Sequence, residues 1–385
     1  MRNESFVELS CIEGDGIGPE LFKAARVVLD SISETFDLNF HCLSAPAGDR
    51  ELERSGKALP KSSLEVIRQS DACLKAPVGE TAKDTILKIR QELDLYANIR
   101  PAKNLPFVET KFSNVDLVIV RENTEDLYVG RESIHESGQK ATALKVVTKK
   151  ASLRIAKYAF ELALSRQKGR NNAGRKSDLS VVCVSKSNVL PKSDGLFVKC
   201  CENVSRKYPS VHFSNMYVDS AAMNLVRNPE AFDVIVTSNM YGDILSDEAS
   251  QIVGGLGLAP SANIGEHFAL FEPVHGAAPD IAGKGIANPI AMYLSIKMML
   301  DWLAETKGNS DFTRASRTLE EAIHSVSASG VKTPDIGGDA NTDQVAQDVS
   351  QEIRRASNER IPYASASSSE RTGEKKNVVM ISRNE

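Results

Sequence analysis

Two carboxylates, Asp243 and Asp247, stand four residues apart in Tyr241-Gly-Asp-Ile-Leu-Ser-Asp-Glu248. Side chains at that interval share one face of a helix. Two carboxylates on one face repel each other unless a cation lies between them. Their hard oxygens suit Mg²⁺ or Mn²⁺, although acidic residues also gather at helix N-termini for the macrodipole alone. A second set is cationic. Arg90, Arg100 and Arg121 fall close to the ends of expected elements, and guanidinium groups pair bidentately with carboxylates. Arg121 follows the apolar run Leu117-Val-Ile-Val120 and is the hardest of the three to read as a solvated surface group. Lys186, just past another apolar run, is either a salt-bridge partner or a poised acid/base.

These residues need a scaffold, and the chain supplies alternating strands and helices. Phe232-Asp-Val-Ile-Val-Thr-Ser238 is β-branched and apolar, so it predicts a buried strand. Gly242 is expected to break the run and Asp243 to start the next helix as its N-cap. Earlier, a strand over 6–13 ends in Gly14-Asp-Gly-Ile-Gly-Pro-Glu20, and Pro19 suits the first turn of a helix over about 19–34. The glycines permit a tight turn. They do not spell the dinucleotide fingerprint, and no acidic residue closes a second strand at the expected distance. Further strands are expected over 38–45, 71–76, 116–121, 179–184 and 212–218, the last ending at Asp219. Helices are expected over 61–69, 84–93, 151–166, 290–302, 312–328 and 343–356. Residues 131–150 read as an extended arm, 168–177 as a basic surface loop, 254–263 as a glycine-rich loop and 333–342 as a turn-rich one. The Ser-, Lys- and Glu-rich stretch 364–385 reads as a disordered tail.

The chain has 385 residues, enough for two domains with sizeable cores. A formal net charge of -4 offers no basic field for nucleic acid or an anionic membrane. No apolar run approaches the roughly 20 residues of a membrane span. The start runs directly into a strand-like segment without a signal peptide, which predicts a cytoplasmic protein. The six cysteines form no Cys-x-x-Cys pair and read as reduced core residues, not zinc ligands or a disulfide frame.

Five stretches in order make the chain resemble the β-decarboxylating dehydrogenases, the family of 3-isopropylmalate, isocitrate and homoisocitrate dehydrogenases. They are Gly14–Glu20, Asp94-Leu-Tyr-Ala-Asn-Ile-Arg-Pro101, Arg121-Glu-Asn-Thr-Glu-Asp-Leu-Tyr128, Tyr241–Glu248 and Phe271–Pro289. The resemblance spans about residues 7–355. It implies an α/β two-domain fold around a mixed sheet, distinct from the Rossmann fold. Residues 1–102 with 255–360 would form a cofactor-binding domain, and 103–254 an inserted substrate and dimerisation domain.

The resemblance also implies a reaction. Hydride leaves C2 of a 2-hydroxy acid for a nicotinamide, and the resulting β-keto carboxylate loses CO₂ with a divalent cation stabilising the enolate. Asp243 and Asp247 would hold Mg²⁺ or Mn²⁺, with Asp219 reaching across from a second subunit and also lining the substrate site. Arg90, Arg100 and Arg121 would hold the malate carboxylates. Lys186 would help remove the hydroxyl proton, and Tyr128 would protonate C3. Both would need pKa values lowered from about 10. Because Lys186 and Asp219 serve the neighbouring chain in the family, an obligate homodimer is implied, and pairing of dimers into tetramers is left open. His275, Gly276, Ala278, Ile281 and Asn288 would surround the adenosine. Asp280 would accept from both ribose hydroxyls and repel a 2′-phosphate, since relatives using NADP carry Lys–Tyr at 280–281; NAD is therefore expected.

Substrate choice turns on the loop before Arg90. Relatives specific for isocitrate place Ser and Asn six and four residues before that arginine, where this chain has Asp84 and Ile86. Asp84 would repel a third carboxylate. Ile86 and Leu87, with Val189 of the partner, would pack on an isopropyl group, a contact worth on the order of 1–3 kcal/mol, and Asn188 would also bind substrate. That predicts NAD-dependent oxidative decarboxylation of 3-isopropylmalate to 4-methyl-2-oxopentanoate, a step of leucine biosynthesis. Isocitrate or homoisocitrate is the alternative: Arg121-Glu-Asn-Thr-Glu-Asp126 is shared with those enzymes, and Lys83 could meet a distal carboxylate. Some relatives are regulatory subunits without turnover. They usually lack part of the Tyr, Lys and Asp set, all of which is present here.

Overall fold

Short β-branched runs and longer amphipathic ones alternate along the chain, and the computed structural model, which describes residues 5–82, 84–172 and 179–358, folds them accordingly. The strands are β1 (Phe6–Ile12), β2 (Asn39–Ser44), β3 (Ala72–Lys75), β4 (Ala97–Lys103), β5 (Asp116–Glu122), β6 (Glu132–His135), β7 (Lys140–Ala143), β8 (Ser180–Ser185), β9 (His212–Tyr217), β10 (Val234–Thr237), β11 (Pro260–Ile264) and β12 (Ala269–Pro273). The helices are α1 (Gly18–Phe36), α2 (Asp49–Ser55), α3 (Lys61–Gln69), α4 (Asp84–Glu92), α5 (Lys149–Asn172), α6 (Ser193–Ser205), α7 (Val218–Arg227), α8 (Asn239–Ile252), α9 (Ile290–Lys307), α10 (Ser310–Ala328) and α11 (Thr342–Asn358).

Ten strands join into one sheet in the order β2-β1-β3-β12-β11-β4-β5-β10-β8-β9. Its flanks are parallel, but β11 runs antiparallel to both β12 and β4, and β4 antiparallel to β5. That reversal in mid-sheet separates the fold from the Rossmann arrangement. All four residues of β10 are buried, as expected of a parallel strand covered on both faces. One core packs Val7, Leu9, Phe22 and Ile32 with Phe271, Tyr293 and Leu300, joining α1, α9 and α10 to the sheet. A second packs Ile119, Val182 and Ile235 against Leu225 of α7 and Leu245 of α8. Full burial of each such aliphatic side chain contributes about 1.5–3 kcal/mol. The segment 131–150 includes an exposed antiparallel ribbon of β6 and β7.

Several sequence expectations shift. Asp243 is not an N-cap: α8 begins four residues earlier, with Ser238 in the cap position. Gly242 is accommodated inside the helix because a Cβ there would lie only 2.6 Å from Arg121 Cγ. Asp219 does not end a strand but sits in the first turn of α7. The basic loop expected from 168 begins as helix, since α5 continues to Asn172; residues 173–178 and the proposed tail lie outside the described residues. The last four residues of the glycine-rich stretch belong to β11, whose Ser261 and Asn263 face buried polar partners instead of apolar ones. The six cysteines are free thiols, five of them buried.

Candidate active site

β4 and β5 deliver two arginines to one place. In their antiparallel register Asn98 lies opposite Arg121, and Arg100 lies two residues from Asn98 on the same strand. Alternation puts Asn98, Arg100 and Arg121 on one face. The side of α8 that carries Asp243, Ser246 and Asp247 meets them. Arg121 pairs with the Asp243 carboxylate, and its Nε and Nη2 both donate to Asn239 Oδ1, at 2.9 and 2.6 Å. Arg100 Nε donates to Asn98 Oδ1 at 2.7 Å, and its Nη1 to Ser246 Oγ at 2.8 Å. The same Nη1 stands 3.2 Å from an oxygen of Asp243 and 3.2 Å from one of Asp247. A cation therefore already bridges the two carboxylates. With their partly exposed oxygens, this donor pair fits a hard divalent ion.

Arg90, on α4, enters from the other side. Its Nε donates to Asn263 Oδ1 at 2.9 Å, and its Nη2 lies 3.5 Å from Glu272, which also pairs with Lys75 at 2.7 Å. Asn263 in turn donates to Glu272 at 2.9 Å. Burial lowers the Arg90 pKa. Burial, with Arg100 adding to it, brings Arg121 down to about 9. Burial alone would raise Asp243, but Arg121 and Arg100 outweigh it and hold its carboxyl below the usual range. Asp247, with less compensation, is raised by burial. Tyr128 donates its hydroxyl to Asp243 Oδ2 at 2.5 Å, and the Arg121 guanidinium lies 5.0 Å from its ring centre. Burial pushes the phenol up, contrary to the lowering its expected role requires; within this chain Asp243 adds to the rise and Arg121 opposes it.

Lys186 and Asp219 meet each other at 2.5 Å, bridging the end of β8 and the start of α7. Among the described residues no three His, Cys, Asp or Glu side chains form a metal-holding group, so Asp219 does not join Asp243 and Asp247 within one chain. Its carboxyl is lowered by Lys186. Asn188 and Val189 are exposed beside Lys186. Ile86 and Leu87 lie four and three residues before Arg90 on α4 and are half-buried, so they share its face. Asp84 is exposed, and Lys83 lies outside the described residues.

The turn 275–288 packs on the Gly14–Glu20 loop: the Ile17 amide donates to the Ala277 carbonyl at 2.9 Å. Gly16 has φ of +55° and leaves no room for a Cβ beside that carbonyl. His275 is half-buried; burial lowers its pKa, and its Nδ1 lies 3.1 Å from the Gly276 carbonyl oxygen. Ala278 takes a left-handed backbone, φ 40°. Asp280 is exposed and Ile281 half-buried. Asn288 donates to Asp335 at 2.9 Å. Asp335 also lines a cavity of about 960 Å³, whose walls include Phe107, Phe112 and the last turn of α8. The exposed carboxylate of Asp280 beside this open turn suits a pair of ribose hydroxyls.

Sequence reading passed over the residues that hold the arginines: Asn98, Asn239, Ser246, Asn263 and Glu272. Asn239 and Glu272 carry a signal in retrospect. Each is a polar residue against an apolar strand, after Val234-Ile-Val-Thr237 and within Ala269-Leu-Phe-Glu-Pro273, where burial demands a partner.

The chain is similar to known proteins along nearly its whole length. The family described as isocitrate/isopropylmalate dehydrogenase matches residues 8–352. The chain is 51% identical over 342 residues to a 3-isopropylmalate dehydrogenase of Sulfurisphaera tokodaii, covering 89% of this chain and 97% of that one. A 3-isopropylmalate dehydrogenase of Saccharolobus solfataricus is 50% identical, with 89% and 98% covered. An isocitrate/homoisocitrate dehydrogenase of Thermus thermophilus is 44% identical, with 89% and 97% covered. Among solved structures, isocitrate dehydrogenase from Methylococcus capsulatus superposes with a TM-score of 0.80 at 39% identity, covering 90% of this chain and 99% of that one.

Proposed function

This chain belongs to the isocitrate/isopropylmalate dehydrogenase family, and from that premise we propose that it catalyses the NAD-dependent oxidative decarboxylation of 3-isopropylmalate. The observation that carries the substrate is the pairing of Ile86 and Leu87 with Arg90 on one face of α4. An arginine for a carboxylate and two alkyl side chains for an isopropyl group then stand on the same surface. The names of the relatives that are 51% and 50% identical support the same substrate.

Arg90, Arg100 and Arg121 bind and orient the two carboxylates of the substrate. Their fixed partners, Asn263, Asn98 and Asn239, mean that little side-chain entropy is lost on binding. Lys186 and Asp219 form the proton-accepting pair for the C2 hydroxyl, and Tyr128 delivers a proton to C3. Asp243 and Asp247, with the partner subunit's Asp219, would hold Mg²⁺ or Mn²⁺, which would supply Lewis acidity to the substrate. His275, Gly276, Ala278, Asp280, Ile281 and Asn288 would hold NAD, which would supply the hydride acceptor.

The separation of Asp219 from the other two carboxylates within one chain supports a homodimer with shared sites. So do the exposed apolar residues on one set of elements: Ile134 of β6, Met223 and Val226 of α7, and Ile244 of α8. We read residues 103–254 as the inserted domain that makes this interface, and 1–102 with 255–360 as the cofactor domain. No helix among the described residues is long and apolar enough to cross a membrane.

The test is NADH formation with Mg²⁺, comparing 3-isopropylmalate, isocitrate and homoisocitrate, before and after chelation. A preference for 3-isopropylmalate that vanishes with the metal and returns on its addition is expected. A preference for either tricarboxylate would overturn the reading of Ile86 and Leu87 while leaving the family untouched.

A further inference from the structure

Lys145 lies in the segment between the β6–β7 ribbon and α5, and its ammonium is buried among groups from three active-site segments. It stands 3.4 Å from Asp126 Oδ1 and 3.0 Å from Asp194 Oδ1, with 12% of its side chain exposed and only 1% and 2% of theirs. Its Nζ also sits 4.3 Å above the centre of the Tyr241 ring, in the first turn of α8. Burial works against this charge, but Asp126 and Asp194 outweigh it and raise the lysine pKa. The two carboxylates therefore favour the charged ammonium.

Each carboxylate holds a loop by its backbone. Asp126 Oδ1 accepts the Leu127 amide at 2.9 Å, immediately before Tyr128, and its Oδ2 accepts the Met240 amide at 3.1 Å. Its own backbone is left-handed, φ 71°, and is tied to Val146 by two amide–carbonyl bonds. Asp194 Oδ2 accepts the amide of Lys186 itself at 2.7 Å. One buried charge is thus shared between the loop of Tyr128 and the turn of Lys186. A buried charge cannot lose one of its partners cheaply, so the two segments are constrained to shift together.

We propose that Lys145 is a positioning residue that couples the two active sites of the dimer. This rests on the reading above that a chain's Tyr128 serves its own site while its Lys186 serves the site of the other subunit. Through Asp126, Lys145 fixes the first; through Asp194, it fixes the second. A shift at one site reaches the other along Asp126–Lys145–Asp194, without passing through the cofactor domain.

Mixed dimers of two differently tagged chains test this. Chain one carries Tyr128→Phe and chain two Lys186→Ala. The mixed dimer then keeps one complete site, made from Tyr128 of chain two and Lys186 of chain one. Activity well above both homodimers is expected; its absence would remove the shared site and the coupling together. Asp126→Asn is then added to chain one, whose Tyr128 loop serves only the dead site. Asparagine matches aspartate in size and keeps a side-chain acceptor for the amides. The expected result is a fall in kcat of the intact site of about 2- to 30-fold, the usual range of coupling residues, with KM for NAD unchanged. An unchanged kcat, with or without a lower Tm, would leave the shared site standing and overturn the coupling. Asp194→Asn in chain two, whose Lys186 turn serves only the dead site, is read in the same way from the other end, so a poorly folding Asp126→Asn chain does not decide the outcome.

Discussion

The side-chain oxygen of Asn239 accepts both Nε and Nη2 of Arg121, at 2.9 and 2.6 Å, so a neutral amide fixes the rotation of the most deeply buried arginine of the site. The third nitrogen, Nη1, is thereby aimed at Asp243. Asn239→Ala is expected to leave the guanidinium under-paired and free to turn. Loss of a hydrogen bond to a charged group is worth about 1.5–3 kcal/mol, so kcat/KM for the malate substrate should fall roughly 10- to 100-fold. Gly242→Ala should do the same through sterics, since its Cβ would lie 2.6 Å from Arg121 Cγ. Steady-state kinetics of both variants check this; normal kinetics in Asn239→Ala would mean that Asp243 alone orients Arg121.

Met223 and Val226 are 57% and 55% exposed on α7, the helix whose first turn carries Asp219. If this face is the dimer contact, Met223→Asp with Val226→Asp places charges in it and should yield monomers by size-exclusion chromatography with light scattering. Turnover should be lost in parallel, because Lys186 and Asp219 would no longer reach a second Asp243 and Asp247. Monomers that retain turnover would show that a single chain completes its own site.

Much of this site was legible because its chemistry is written in residue types that are rare in apolar surroundings. Arg121 after Leu117-Val-Ile-Val120, and the Asp243/Asp247 interval, point to the cluster by residue type and spacing alone. The interval survived even though the helix start was misplaced, since four residues span one turn wherever the helix begins. Gly242 misled because its lack of a side chain looks like a break, whereas here it makes space for Arg121. β11 was hidden for a related reason. Pro260-Ser-Ala-Asn-Ile264 lacks a β-branched pattern, and its burial is satisfied by polar partners across the sheet that sequence order does not reveal. The pKa of Tyr128 depends on burial and on Asp243, 115 residues away, which no local reading supplies.

Cofactor choice should be reversible at two positions. Asp280 is exposed on the turn that packs against the Gly14–Glu20 loop, and under the proposed cofactor site its carboxylate would disfavour a 2′-phosphate. Asp280→Lys with Ile281→Tyr exchanges that repulsion for attraction. The ratio of kcat/KM for NADP over NAD is expected to rise by about two orders of magnitude, as two favourable contacts of 1–2 kcal/mol each would produce. An unchanged ratio, with the substrate's KM unaltered, would place the ribose elsewhere.

Glu272 gives a stability prediction whose sign can be worked out. Burial disfavours its charge, but Lys75, Arg90 and the Asn263 amide prevail and lower its pKa from 4.5 to about 2. A carboxylate that is more acidic folded than unfolded stabilises the fold above its unfolded pKa. That contribution is complete at neutral pH and is lost as pH falls from about 4.5 towards 2. Urea midpoints measured at pH 7, 5, 4 and 3 should therefore drop steeply over the lowest steps. Glu272→Gln leaves Lys75 and Arg90 without their carboxylate, so it should be less stable at pH 7 by about 3–5 kcal/mol. Its midpoint should also change less than the wild type's between pH 5 and 3, because the titrating group is gone. Parallel curves for the two proteins over that range would show that Glu272 titrates alike in the folded and unfolded chains, and that the Lys75–Glu272–Arg90 contacts do not govern acid stability.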